Sequence, residues 1–382
     1  MTSPTLEAPG LRTAVAEAHR PGVVSFPSIL DTNPYQRLLY EQLAANGFRV
    51  EPSGEFRVRW LLRARRSVDL LHFHWPQGYW RANDRRRLSG PVVRWAYLGL
   101  FALRIATAKA LGYGIAWTIH QVHPHEGAPS RVDRTGARIL AWASRVLIAH
   151  DAATAASARA ELGRAARDVT VVPHGSYLGV YEPGRSRSEV RGELGIDGDR
   201  FVFLHLGDMR AYKDLAVLIA AFRSTDLPDA TLVVAGKPAD RDTETSLREA
   251  AAGDPRIALR FGFVPEEGVA ELYDAADAAV VARGDGGTSG SLILALSMGK
   301  AVVAADRPSY RSLIGVDAAG WLFEPGDVGS LRHALEHARR TTPAELTAKC
   351  RVALTLAGRL DWTEIGGRTA ELLRDASRRR AA

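Results

Sequence analysis

The 382-residue chain is long enough for two domains, and 46% hydrophobic with 24% charged residues is ordinary for a soluble globular protein. One cysteine, Cys350, excludes an internal disulfide framework and fits a reducing cytoplasm, and no stretch has the length and purity of a membrane span. The net charge of +7 is uneven: residues 1–180 hold 23 Lys and Arg against 13 Asp and Glu, so the excess sits in the first half.

Residues 1–22 read as a polar, flexible leader without the charged-then-apolar signature of a signal peptide. Beyond it, short β-branched runs alternate with helical periods. Strands are expected at 23–27, 69–75, 115–120, 146–150 and 169–173, with helices at 34–46 and 132–143. Residues 53–110 carry 12 cations against 3 anions, and Trp60, Trp75, Tyr79, Trp80, Trp95, Tyr97 and Phe101 are interleaved with them. That mixture fits peripheral contact with an anionic membrane face, or an anionic lipid carrier, as well as it fits a solvated basic face. No zinc-ligand spacing, RNA-recognition motif or basic zipper supports nucleic-acid binding.

Two strands of this half end in titratable groups. Leu71-His-Phe-His-Trp-Pro76 brings His74 and Gln77 to a carboxyl end, and Trp117-Thr-Ile-His-Gln-Val-His-Pro-His-Glu126 does the same for His120, His123, His125 and Glu126. Pro124 breaks any helical i, i+4 metal geometry, so base or orienting roles are expected and no metal site.

Turn formers at Tyr177 to Arg187 mark a boundary. A second series of strands follows at 201–206, 231–235, 257–261, 278–282, 301–305 and 321–323, with helices at 214–222 and 289–298. Such alternation implies two doubly wound α/β domains, with ligands at the carboxyl ends of their strands. Gly207-Asp-Met-Arg-Ala-Tyr-Lys-Asp214 combines a close-approach glycine, the cations Arg210 and Lys213, and a helix start, which together make a diphosphate grip. Arg283-Gly-Asp-Gly-Gly-Thr-Ser-Gly-Ser291 is a second anion cradle: Thr288 or Ser289 caps the next helix, and Gly290 and Ser291 offer N–H groups. Asp208 is expected to point away from the phosphates, since an acid would repel them.

Together these pieces resemble the GT-B glycosyltransferases, in particular the glycosyltransferase 4 type and, within it, the bacterial β-1,4-mannosyltransferases of xanthan-type exopolysaccharide assembly. The matching residues are Asn33-Pro-Tyr35, His72-Phe-His-Trp-Pro76, Thr118-Ile-His120, Pro124-His-Glu126, Val172-Pro-His-Gly175, Arg210-Ala-Tyr-Lys213, Gly262-Phe-Val264 and Ser289-Gly-Ser-Leu-Ile-Leu-Ala-Leu296.

The resemblance implies two Rossmann-like domains facing across a cleft. An acceptor domain would span 23–178 and a nucleotide-sugar domain 179–358, with a helix in 359–382 crossing back. It implies a GDP- or UDP-sugar donor held by Gly207, Arg210, Lys213, Val264, Thr288, Ser289, Gly290, Ser291 and His174. A hexose, mannose or glucose, would pass to a glycolipid or natural-product hydroxyl. Asn33, His74 and Gln77 would meet the acceptor, and no cofactor or metal is required where fixed cations meet the leaving group. The retaining pattern carries two glutamates that would fall at Gly286 and Leu294; with neither present, an inverting reaction is expected, with Glu126, His120 or His125 as its base. A cytoplasmic enzyme at the inner membrane face is the leading reading. A retaining transferase, an epimerase or pseudosugar-coupling enzyme on the same scaffold, and a non-catalytic polyanion- or lipid-binding module stand beside it.

Overall fold

The structure is a computed structural model that describes residues 20–29, 34–81, 90–122, 129–182, 184–283, 287–315 and 318–377. Its first half runs β1 (Gly22–Phe26), α1 (Pro34–Ala45), β2 (Arg49–Glu51), α2 (Val58–Ala64), β3 (Leu70–Phe73), α3 (Pro91–Ala110), β4 (Gly114–Ile119), α4 (Arg131–Ala143), β5 (Val146–Ala149), α5 (Ala152–Leu162) and β6 (Val169–Val171). These strands form one parallel sheet in the order β2-β1-β3-β4-β5-β6. The second half continues with α6 (Arg187–Glu193), β7 (Phe201–Leu206), α7 (Leu215–Arg223), β8 (Ala230–Gly236), α8 (Arg241–Ala251), β9 (Ile257–Phe261), α9 (Glu266–Ala275), β10 (Ala278–Val281), α10 (Gly290–Ser297), β11 (Ala301–Ala305), α11 (Pro308–Ile314), β12 (Gly320–Phe323), α12 (Val328–Arg340), α13 (Pro343–Gly358) and α14 (Trp362–Ser377). Its sheet is also parallel, in the order β12-β11-β10-β7-β8-β9.

The strands read as unbroken apolar runs because helices cover both faces of each sheet. All residues of β3, β4, β7 and β8 are buried; one large core surrounds the second sheet, and the first sheet carries a core on each face. The sequence periods gave no strand at β2. It has only three residues, Arg-Val-Glu, half exposed at the sheet edge, and exists through its pairing with β1 alone.

The connections position the site. In the second sheet the chain steps from β7 outward to β8 and β9, then returns to β10 on the other side of β7. In the first it steps from β1 to β2, then back across to β3. Each reversal opens a crevice at the carboxyl ends of two neighbouring strands.

The last helix, α14, returns to the first sheet. Ala370, Leu373 and Ala376 join the core around Leu39, Leu43 and Leu70, and Arg145 donates to the Ala376 carbonyl at 3.0 Å. A Cβ added to Gly366 would lie 2.3 Å from Gln42, and one added to Gly175 would lie 2.2 Å from the Trp362 ring. Both glycines therefore set how closely the returning helix packs.

Candidate active site

The loops after β7 and β10 meet because those strands are neighbours. Gly207 has φ of +137°, and a Cβ there would lie 2.8 Å from the Lys213 ammonium and 3.5 Å from Ser291 Oγ. Lys213 thus folds back beneath Gly207, beside the start of α10. Its ammonium is nearly buried, and burial pushes its pKa down to about 8, with Arg283 and Arg210 adding to the effect and Asp208 opposing it. The helix expected from Asp214 begins one residue later. Ala211–Lys213 forms a 3-10 turn, and Asp214 at φ +52° joins it to α7.

Asp208 does not point away. Residues 208–210 run on from β7 as extended chain, Met209 bridging to Pro238 and donating its N–H to the Lys237 carbonyl at 2.8 Å. Extended chain alternates faces, so buried Met209 turns inward while Asp208 and Arg210 share the outer, cleft-facing side. A carboxylate therefore lies among the cations Arg210, Lys213 and Arg283. Arg283 stacks 5.1 Å over the Tyr212 ring.

In the second cradle, Ser289 is the cap of α10 and its Oγ accepts from the Leu292 N–H at 3.3 Å. Gly290 and Ser291 form its first turn, whose N–H groups have no partner within a helix. Thr288 behaves differently from the expectation. Its N–H, at 2.9 Å, and its hydroxyl both donate to Asp151, the residue that caps α5 in the other half of the molecule. Asp151 also accepts from the Thr154 N–H at 2.7 Å. Gly287 permits this approach, since a Cβ there would lie 2.1 Å from Thr154 Oγ1. Asp151 escaped sequence reasoning; its only signal was its place as an Asp after β5 and before a helix.

Two cavities open from these loops. A pocket of about 220 Å³ is lined by Gly207, Gly262, Phe263, Val264, Ser291 and Leu294, among others. Val264 is where the sequence placed a nucleotide contact, and Leu294 is one of the two positions where a glutamate was looked for. The other, Gly286, lies outside the described residues, as does Asp285. A larger cavity of about 450 Å³ lies between the halves: Asp208, Arg210, Arg283, Thr288 and Gly290 meet Tyr35, Trp75, Arg81, His120 and His174 across it.

The first half contributes histidines because parallel strands all end on one edge. His74, His120 and His150 each directly follow the last residue of β3, β4 and β5, and His174 lies three residues beyond β6. Tyr35, from the first turn of α1, packs among them, 4.6 Å from the His174 ring and 5.0 Å from that of His120. Trp75 stacks on His120 at 4.3 Å and 16°. Burial holds the His74 and His120 rings well below the ordinary histidine value, and pushes His72 and His174 down to about 3. These rings are therefore neutral near pH 7. His174 Nδ1 donates to the Gly175 carbonyl at 2.7 Å, which leaves its Nε2 bare.

His74 and Gln77, expected at the acceptor, are buried and line neither cavity. His74 stands one ring behind His120, its Nδ1 3.3 Å from His120 Nε2. From this segment Trp75 and Arg81 reach the cavity instead, and Arg81 brings a charge. Arg81 is clamped by buried Asp133 at 2.7 and 2.9 Å, and Asp133 also closes the capping box of α4. Asn33, His123, His125 and Glu126 lie outside the described residues. Among the described residues, no group of three His, Cys, Asp or Glu side chains is arranged to hold a metal ion.

Two parallel α/β units facing across a cleft, with anion cradles on one side, are the architecture of the GT-B glycosyltransferases. Similar solved structures agree: sucrose-phosphate synthase from Thermosynechococcus elongatus (17% identical, covering 94% of this chain and 99% of that one, TM-score 0.73) and Anabaena HepE in complex with UDP-glucose (17%, 94% and 100%, TM-score 0.72). Residues 186–350 match the family described as Glycosyl transferases group 1. Two chains from Xanthomonas campestris pv. campestris, both named GDP-mannose:glycolipid 4-beta-D-mannosyltransferase, are 28% and 27% identical over 296 residues, 77% of this chain and 75% of theirs. The protein is a GT-B glycosyltransferase, and its second half carries a glycosyltransferase group 1 domain.

Proposed function

We propose that this enzyme transfers a mannosyl group from GDP-mannose to a hydroxyl of a glycolipid, with inversion at the sugar carbon. The observation that carries the reading is Lys213. Its nearly buried ammonium is tucked under Gly207 beside Ser291 and the start of α10, in the loop whose Asp208 and Arg210 line the cavity opposite His120 and His174. In this reading the small pocket holds the base and ribose, and Arg210, Lys213 and the N–H groups of Gly290 and Ser291 hold the diphosphate. His120 takes the proton from the acceptor hydroxyl, whose oxygen bonds to the anomeric carbon. The bond from that carbon to the phosphate oxygen breaks, and the cations receive the negative charge that leaves with the diphosphate.

Leu294 supports inversion, since an apolar side chain faces the pocket where retaining relatives are expected to carry a glutamate. The names of the Xanthomonas relatives support GDP-mannose and a glycolipid. In a thermal-shift experiment GDP is expected to raise the melting temperature of this protein more than UDP at equal concentration, because a ligand of the folded state stabilises it. An equal or larger shift with UDP would overturn the choice of base, and no shift with either would overturn the donor site.

A glycolipid acceptor calls for a membrane-facing surface, and α3 offers one. Leu98, Phe101, Ile105 and Ala108 are buried on one side. The opposite side exposes Val92, Trp95, Leu100 and Leu103, the first 82% accessible. Arg57, Arg59, Arg63, Arg65 and Arg66 lie exposed on and beside α2, which packs on α3; Arg85, Arg86 and Arg87 lie outside the described residues. No helix among the described residues is long and apolar enough to cross a membrane. An apolar stripe flanked by arginines instead fits a helix lying in an anionic interface. The double variant Trp95→Glu, Leu103→Glu is expected to weaken co-sedimentation with phosphatidylglycerol vesicles by about tenfold or more. Binding equal to that of the unaltered protein would exclude this surface.

A further inference from the structure

Three aromatic side chains on the wall of the larger cavity end in polar atoms that the protein itself leaves unmatched. Tyr35, His174 and Tyr177 are 4%, 7% and 8% accessible, so each is more than nine-tenths buried. All three line the cavity between the halves, and Tyr177 also lines the smaller pocket. Among the described residues, the Tyr35 and Tyr177 hydroxyls have no hydrogen-bond partner, and neither has His174 Nε2. None of these three atoms is sealed from solvent, whereas Nε2 of the neighbouring His150 is. The small accessible part of each side chain includes its polar tip, and the cavity is where the tips emerge.

The backbone that carries two of them is tied down on both sides. The Ser176 N–H donates to the Leu360 carbonyl at 2.9 Å, and the Ser176 carbonyl accepts from Trp362 Nε1 at 2.6 Å. The Tyr177 N–H donates to Ser297 Oγ, in the last turn of α10, at 2.9 Å. Its phenol reaches the other end of that helix, where a Cβ on Gly290 would lie 3.4 Å from the phenol oxygen. The His174 ring stands between its neighbours, 4.6 Å from the Tyr35 ring and 5.6 Å from that of Tyr177. The row runs from the first half of the molecule to the anion cradle of the second.

The chemistry changes along the row. A phenol donates its O–H, so Tyr177 adds a donor beside the N–H groups that start α10. His174 cannot act in that way. Its Nδ1 proton is committed to the Gly175 carbonyl, and the neutral ring then offers only a lone pair at Nε2. A lone pair repels a phosphate oxygen and accepts from a hydroxyl. Next to it, the Tyr35 hydroxyl is again a donor. An uncharged acceptor beside an uncharged donor matches the hydroxyls of a sugar, each of which both gives and takes a hydrogen bond, and does not match an ion.

We infer that His174 Nε2 and the Tyr35 hydroxyl bind hydroxyls of the hexose carried by the donor, while the Tyr177 hydroxyl donates to the diphosphate joined to it. The inference rests on the proposed function only in setting the diphosphate at the start of α10. Position selects the donor's sugar over the acceptor's: the ring beside Tyr177 meets whatever is bonded to the phosphate that Tyr177 meets.

Binding of GDP and of GDP-mannose, each followed by titration calorimetry without acceptor, separates these roles. Tyr35→Phe removes one oxygen and keeps the ring; His174→Phe keeps a ring against Tyr35 but cannot accept. Both are expected to leave the Kd for GDP unchanged and to raise that for GDP-mannose about threefold to tenfold, the effect of one neutral hydrogen bond. Tyr177→Phe is expected to weaken both ligands alike, by about tenfold or more, because its partner is charged. Should His174→Phe fail to fold, Tyr35→Phe decides for the pair. GDP-mannose binding equal to that of the unaltered protein overturns the inference, and so does a loss of GDP binding as large as that of GDP-mannose in Tyr35→Phe. A Tyr177→Phe variant that holds GDP unchanged overturns it as well. If Tyr35→Phe instead raises KM for the glycolipid with GDP-mannose binding intact, the pair serves the acceptor and the inference fails. An unaltered protein that binds neither nucleotide overturns the donor site itself, a different result from any of these.

Discussion

Lys213→Ala is expected to lower turnover of the sugar nucleotide by roughly 10²–10³-fold, the loss typical of removing one fixed group from a developing negative charge. The fold should survive. The ammonium is already largely stripped of water, so taking it away relieves a desolvation penalty instead of breaking a core contact. The pH dependence separates this role from a merely structural one. With its pKa pushed down to about 8, Lys213 is charged in the free enzyme below that pH and neutral above it. Affinity for GDP, measured by titration calorimetry, should therefore fall as pH rises through about 8, approaching a tenfold loss per pH unit.

Stability should move the opposite way. Between about 8 and the ordinary lysine value of 10.5, the unfolded chain holds a proton that the folded one has released. This group's contribution to stability thus increases with pH across that window and is constant outside it. Both dependences should vanish in Lys213→Ala. Turnover near that of the unaltered protein would remove Lys213 from the donor site.

His120→Gln is expected to reduce kcat by about 10²–10⁴-fold, the range for loss of a general base, with affinity for GDP unchanged. Glutamine keeps hydrogen-bonding reach towards His74 and covers the face of Trp75, so the cavity wall is retained. Burial, and then the neighbouring His150, His174 and His72 rings, hold the His120 pKa well below its ordinary value. The base form therefore persists into mild acid, and kcat of the unaltered enzyme should stay level from pH 7 down to pH 6, where an ordinary histidine would already be mostly protonated. Full activity in His120→Gln would shift the search to Glu126 and His125 in the segment 123–128.

Much of this site was legible because parallel α/β folds obey a simple rule. An apolar run followed by Gly, cations and a helix marks the carboxyl end of a strand, where ligands bind. Gly207, Lys213, Ser289, Gly290 and His120 were singled out that way, and the structure sets each of them in a segment that follows a strand's carboxyl end. Failures came where a side chain's direction depends on the backbone conformation of a loop. Asp208 was set apart from Arg210 on electrostatic grounds, yet an extended chain turns both to the same side. Thr288 was read as a phosphate ligand, yet in this structure it is hydrogen-bonded to Asp151, 137 residues earlier in the chain. Arg81 was passed over as one arginine among many, and only its clamp on Asp133 singles it out.

By itself, the sequence determined the local terms: which runs form strands, where glycine is needed, and which segments carry charge or imidazole. These follow from periodicity and side-chain chemistry over a few residues. Tertiary structure decided everything that depends on who meets whom. The reversal of strand order set β7 beside β10 and so brought the two loops that follow them together. The closeness of the two halves brought Asp151 to Thr288. The alignment of strand ends stacked His72, His74 and His120 into a single hydrogen-bonded run, and burial then fixed their charge.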